Sequence, residues 1–227
     1  MRSHLIVKEQ LSWTLNDKLI SMQTIERYFK ELTEIQRQQL VQLDALYREW
    51  NAKINVISRK DIDNLYIHHV LHSLAIVQAY HFQPKTNILD FGTGGGFPGI
   101  PLAIMLPHCN FKLIDGTGKK IHVAQEIIKS IGLTNCRAEH LRGEDERGQY
   151  DFVVSRAVMP LPDMLKIVRK NVSRNQHNAM ANGIICLKGG SLDNEMSQFR
   201  NIAEIQDISL WFEEDWFKEK QVVYVPI

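Results

Sequence analysis

The chain has no run of about eighteen apolar residues, so no membrane-spanning helix is expected. Its amino terminus, MRSHLIVKEQLSW, lacks an apolar core followed by a small-residue cleavage site, so an export signal is not expected and a cytoplasmic protein is. Cysteine is scarce. Cys109, Cys136 and Cys186 lie far apart and form no CxxC, so neither a disulfide framework nor a zinc site is expected, and they read as small buried hydrophobes in a reducing compartment. HExxH is absent and no GK[ST] closes a glycine loop, which removes zinc-protease and P-loop chemistry. Repeats and low-complexity tracts are missing. The net charge is only +1, too little to coat nucleic acid indiscriminately.

What is present is a globular composition, 44% hydrophobic over 227 residues, enough to bury a core as one large domain or one domain with an appendage. The charge is uneven. Asp151 to Leu192 holds six Lys/Arg (Arg156, Lys166, Arg169, Lys170, Arg174, Lys188) against two Asp, a local +4, while Asp193 to Glu219 carries eight acids against two bases, a local −6. Both segments are compatible with solvated helix faces, and the basic one also with a phosphate backbone.

Periodicity divides the chain. Residues 1–21 show none and read as a loose extension. Apolar residues recur at helical spacing from Ile25 to Trp50, with a fresh start at Thr33-Glu34, and a further helix fits Asp61 to Tyr80, so 22–82 reads as a helical segment. From 83 to 227 short apolar runs alternate with amphipathic helices. Strands are expected at Asn87–Phe91, Phe111–Asp115, Cys136–His140, Tyr150–Ser155, Gly183–Lys188, Asp207–Trp211 and Gln221–Val225. Helices are expected at Pro98–Leu106, Lys119–Ile131, Pro162–Val172 and Leu192–Ala203. This order predicts an α/β fold, a mostly parallel seven-stranded sheet covered on both faces, closed by an antiparallel hairpin at one edge.

The first strand runs into NILDFGTGGGFPGIP, residues 87–101. Glycine tolerates positive φ and lets the backbone approach a ligand, and a helix amino terminus offers unpaired amides. Prolines 98 and 101 suit a first helical turn. GxGxxG occurs at Gly94, Gly96 and Gly99, but it begins late after the strand. Counted from the strand end, the register is Asp90-x-Gly92-x-Gly94-x-Gly96, which resembles motif I of class I S-adenosylmethionine-dependent methyltransferases. Asp115, ending the second strand, suits ribose hydroxyls in either that fold or a dinucleotide-binding one, so an NAD-dependent oxidoreductase stays open at this point.

A longer resemblance runs through NILDFGTGGGFPGIPLAI, KLIDGTGKK, YDFVVSRAV and ICLKGG, and upstream through LYREWNAKINVISRKDI and HHVLHSL. Over about residues 24–227 the chain resembles the bacterial ribosomal RNA small-subunit methyltransferase G family, also called glucose-inhibited division protein B. The resemblance implies a Rossmann-like class I methyltransferase fold with an N-terminal helical segment. It implies S-adenosyl-L-methionine as cofactor, and methylation of nitrogen 7 of a guanine in the 530-region loop of 16S ribosomal RNA, presented naked or in the small ribosomal subunit. A small-molecule or protein methyltransferase is the other reading, and a monomer is expected.

Carried over by position, the resemblance implies cofactor contacts at Gly92, Gly94, Phe97, Asp115, Gly143 and Glu144. It places Arg156 at the mouth shared by cofactor and active site, as the one catalytic candidate. Asn51, Lys53, Asn55, His69 and Ser73 match positions on the RNA-facing side, and Lys53, Arg59, Lys60, His69, Lys166, Arg169, Lys170 and Lys188 are the candidate RNA contacts. The family pattern has aspartate where this chain has His72, so no catalytic acid is expected there. His68, His69 and His72 share a helix face but have no third ligand signal, so no metal is expected. Guanine nitrogen 7 carries a lone pair and no proton, so transfer needs positioning rather than a base, with Arg156 or Lys188 orienting the purine edge or a phosphate.

Overall fold

Thr33 sets the start of the longest helix. Its hydroxyl accepts the Gln36 amide at 3.2 Å while the Gln36 side chain accepts the Thr33 amide at 2.9 Å, a capping box that satisfies two orphan donors. The computed structural model describes residues 22–156 and 158–227, so the extension expected over 1–21 lies outside the described residues. A helix over residues 22–28 (α1) precedes α2, Glu34–Lys53. Where one helix is expected from Asp61 to Tyr80, a 3-10 turn at Ile62–Asn64, a π-helix at Leu65–Leu71 and α3 at His72–Ala79 run end to end. Wider i→i+5 winding puts more residues into each turn, so neighbouring side chains diverge less. Adjacent His68 and His69 thereby reach the same partner, Asp61.

The sheet comprises β1 Asn87–Phe91, β2 Asn110–Asp115, β3 Cys136–His140, β4 Phe152–Arg156, β5 Gly183–Gly189, β6 Glu204–Asp207 and β7 Lys220–Pro226. Its order is 3-2-1-4-5-7-6. β1 to β5 are parallel, and β7 runs antiparallel between β5 and β6, giving the expected edge hairpin. Helices α4 Gly99–Met105, α5 Gly118–Ser130, α6 Leu161–Val168 and α7 Asp193–Met196 make the crossovers. Since β1 is followed by β2 on one side and flanked by β4 on the other, the topological switch lies between β1 and β4, where sheets of this type bind ligands.

Two apolar layers cover the sheet. On one face Ile88, Leu113 and Val154 join Leu40, Leu43 and Tyr47 of α2 and Leu74 and Ile76 of α3 in one core. On the other, Leu89, Val153 and Ile184 meet Leu161, Met164 and Phe199. The three cysteines are buried and unpaired.

Three elements differ from expectation near the carboxyl end. The sixth strand falls at Glu204–Asp207 rather than Asp207–Trp211, because Ile208–Leu210 forms a 3-10 turn that carries Ile208 and Phe212 into the core against Tyr28 of α1. The helix at 192–203 shrinks to α7 and a 3-10 turn at Ser197–Phe199. The helix at 162–172 ends at Val168, since Val172 is drawn into a bridge with Tyr150.

Candidate active site

β1 delivers the chain to the glycine turn, and Asp90 pins it there. Oδ2 of Asp90 accepts the Thr93 hydroxyl at 2.5 Å and the Gly99 amide at 2.7 Å, while Oδ1 is buried without a partner. Burial pushes this carboxyl up to about 7. Gly92, Gly94 and Gly96 have φ of 70, 59 and 114°, values that glycine alone adopts cheaply. A β-carbon on Gly92 would lie 2.5 Å from Val158, and one on Gly95 2.9 Å from Val56; above Gly94 there is open space. Oδ2 of Asp115 accepts the Gly94 amide at 2.9 Å and Oδ1 the Thr117 amide at 2.7 Å, so the second acid braces the same turn. Gly143 lies against the ring of Phe91, where a β-carbon would collide, and Glu144 beside it is exposed.

From the helical side, Tyr47 donates its buried hydroxyl to the Gly95 carbonyl at 2.9 Å and stacks on Phe97 at 4.7 Å. Asn51 shapes the adjoining loop: its Oδ1 accepts the amides of Val56 and Ile57, both at 2.9 Å. Neither role shows in the sequence, where Tyr47 reads as one more apolar helix position.

Arg156, ending β4, lies 5.0 Å from the centre of the Phe97 ring. It donates to the His68 carbonyl at 3.2 Å and meets Nδ1 of His69 at 3.0 Å; Nε2 of His69 is 2.7 Å from Asp61. A guanidinium only donates, so Nδ1 accepts and Nε2–H donates to Asp61, which makes His69 a neutral imidazole. Burial first, then the Arg156 charge, hold His69 down at about 4. Burial also lowers Arg156, to about 10, which leaves it charged at neutral pH. Beside it opens a cavity of about 360 Å³ lined by Asp61, His69, His72, Arg156, Trp216 and Lys220, among others. His68 stacks on Trp216 at 4.2 Å, and Nε2 of His72 is buried without a partner. Asp61 and Trp216 escape sequence reasoning because only tertiary packing brings them here.

The open space above Gly94 lets a ligand approach the backbone closely, a demand that either nucleoside cofactor would meet. A family model described as rRNA small subunit methyltransferase G matches residues 36–218. The chain belongs to the rRNA small subunit methyltransferase G family. The Ribosomal RNA small subunit methyltransferase G of Bacteroides thetaiotaomicron is 56% identical over 206 residues, 91% of this chain and 100% of that protein. That of Parabacteroides distasonis is 56% identical over 200 residues, 88% and 87% of the two chains. A SAM-dependent methyltransferase from Aquifex aeolicus shares the fold at 14% identity and a TM-score of 0.50, covering 67% of this chain and 88% of that one.

Membership decides what Asp115 leaves open: the cofactor is S-adenosylmethionine, and the nicotinamide reading falls. Within this family member the candidate RNA residues separate into three groups. Lys53 ends α2, paired with Glu49 at 2.7 Å, and Arg59 and Lys60 are exposed on the loop that follows, whose Val56 lies against Gly95. Lys188 borders the cavity, but its ammonium is held by Glu195 at 2.6 Å and the Met159 carbonyl at 2.9 Å, and His69 is enclosed between Asp61 and Arg156. Lys166, Arg169 and Lys170 are exposed, but away from Arg156. No helix among the described residues is long and apolar enough to cross a membrane.

Proposed function

We propose that the protein, a cytoplasmic monomer, transfers the methyl group of S-adenosylmethionine to nitrogen 7 of a guanine in the 530-region loop of small-subunit ribosomal RNA. Residues 83–227 bind the donor, and 22–82 supply the wall that faces RNA. One observation carries the reading: Arg156 touches Phe97 of the glycine turn on one side and the open cavity on the other. A charged planar donor therefore stands between the donor's cradle and the place for a base.

Bound there, S-adenosylmethionine supplies an electrophilic methyl on a sulfonium. The glycine turn and Asp115 hold it, with Phe97, Gly143 and Glu144 as further walls. The target nitrogen presents a lone pair and no proton, so the chain need supply no base, and the neutrality of His69 costs nothing. Asp61 fixes the tautomer of His69, and His69 fixes Arg156. Among the described residues two of the five guanidinium N–H groups are engaged, which leaves three for the O6/N7 edge of guanine or a flanking phosphate. That edge is closed to side chains inside an A-form helix, so the target lies in a loop or distorted segment.

Labelled methyl transfer to small-subunit particles, ribosomal RNA, total protein and small molecules, followed by nucleoside digestion, tests the reading. Label in 7-methylguanosine from the small-subunit RNA is expected; label in protein, or in another nucleoside, overturns it.

A further inference from the structure

Lys166, Arg169, Lys170 and Arg174 line an open groove of about 860 Å³, together with Gln149 and Ser173. Its place in the sheet is set by hydrogen bonds. Ser173 donates its amide to the Tyr150 carbonyl at 2.7 Å, just before β4, and Ile227, also at the groove, donates to the Asn182 carbonyl at 3.0 Å, just before β5. The groove thus sits at the amino ends of β4 and β5, whereas Arg156 and the cavity sit at their carboxyl ends. Seven strand residues separate the two ends of β5, about 20 Å at the usual rise per residue.

The groove is positive and largely uncompensated. Lys166 pairs with Asp163 at 2.8 Å and Lys170 donates to the Glu144 carbonyl at 2.5 Å, but Arg169 and Arg174 have no acidic partner among the described residues. Gln149 donates to the Lys170 carbonyl at 2.6 Å and fixes the floor. Lys170 is the one member that reaches the surroundings of the donor site, through the Glu144 carbonyl; Arg169 and Arg174 make no such contact among the described residues.

We propose that this groove holds the sugar-phosphate backbone of the ribosomal RNA at a point remote from the target guanine. The inference rests on the RNA reading above and narrows it: a substrate that reaches both ends of the sheet is a large folded RNA or particle, not a short hairpin.

The test compares wild type with K166Q/R169Q/K170Q/R174Q and with R169Q/R174Q, which breaks no ion pair. With saturating S-adenosylmethionine and small-subunit particles, the fourfold variant is expected to raise KM about tenfold or more. The slope of log KM against log salt should flatten by about 2, with the double variant between. In R169Q/R174Q, which leaves the contact of Lys170 with Glu144 in place, kcat and the Kd for S-adenosylmethionine should stay at wild-type values. Wild-type KM and salt slope in both variants overturn the proposal, as does a loss confined to kcat. Should wild type bind particles with a salt slope that the variants flatten, yet methylate no RNA, the groove stands and the activity assignment fails.

Discussion

Nη2 of Arg156 lies 3.0 Å from Nδ1 of His69, whose other nitrogen lies 2.7 Å from Asp61. This chain of three side chains converts a half-buried, rotatable guanidinium into a fixed one. It works only while His69 is neutral, because a protonated imidazole would present N–H to N–H.

That requirement has a pH signature. His69 is held at about 4 when folded, against 6.5 when exposed. Between those values the unfolded chain binds a proton that the folded chain does not, so stability falls as pH drops through the window and levels off below it, by about 3 kcal/mol for this residue. His72 is lowered as well, again chiefly by burial. His69→Gln should therefore reduce the slope of urea stability against pH by about one proton without abolishing it. An unchanged slope would mean His69 is already charged in the fold.

Gly94 separates backbone strain from ligand space. An alanine there meets nothing within 4 Å but must adopt φ near +59°. Gly94→Ala should cost about 1–2 kcal/mol of stability by urea titration. It should weaken S-adenosylmethionine at least tenfold by calorimetry, since the added methyl stands in the open turn. An affinity equal to wild type would show that the donor lies elsewhere.

Tyr47→Phe removes a single hydroxyl and leaves the Gly95 carbonyl short of its donor. The expected loss is about 1–2 kcal/mol of stability. Donor affinity should fall with it, because α2 would no longer hold the turn. Stability lost with affinity intact would mean that the turn holds its own shape.

Lys188→Met separates an RNA contact from a structural one. The ammonium is paired with Glu195, whose Oε1 also accepts the Leu161 amide at 2.5 Å. Removing it should destabilise the chain by about 2 kcal/mol. KM for small-subunit particles should hold steady; a raised KM with unchanged stability would return Lys188 to the RNA contacts.

The glycine turn was legible in the residues because glycine at Gly92, Gly94 and Gly96 marks the positive φ that other residues avoid. The alternation of strands and helices was legible for the same local reason, and Arg156 by its place at a strand end. The Asp61–His69–Arg156 chain was not, since it joins positions 8 and 87 residues apart and depends on a π-helical turn. The pairing of Lys188 with Glu195 is likewise tertiary. The remoteness of Lys166, Arg169 and Lys170 did carry a signal: a crossover helix runs back along the sheet, so residues at its far end must lie at the strands' amino ends. Charge counted along the chain hides that geometry.

The most direct measurement is the single-turnover rate of methyl transfer to small-subunit particles as a function of pH, with 7-methylguanosine as the product scored. A nucleophile without a proton, held by an Arg156 that stays charged to about pH 9, predicts a flat profile from about pH 8, above the titration of Asp90, to about pH 9. A limb rising tenfold per pH unit within that range would reveal an essential base and contradict positioning as the basis of the reaction.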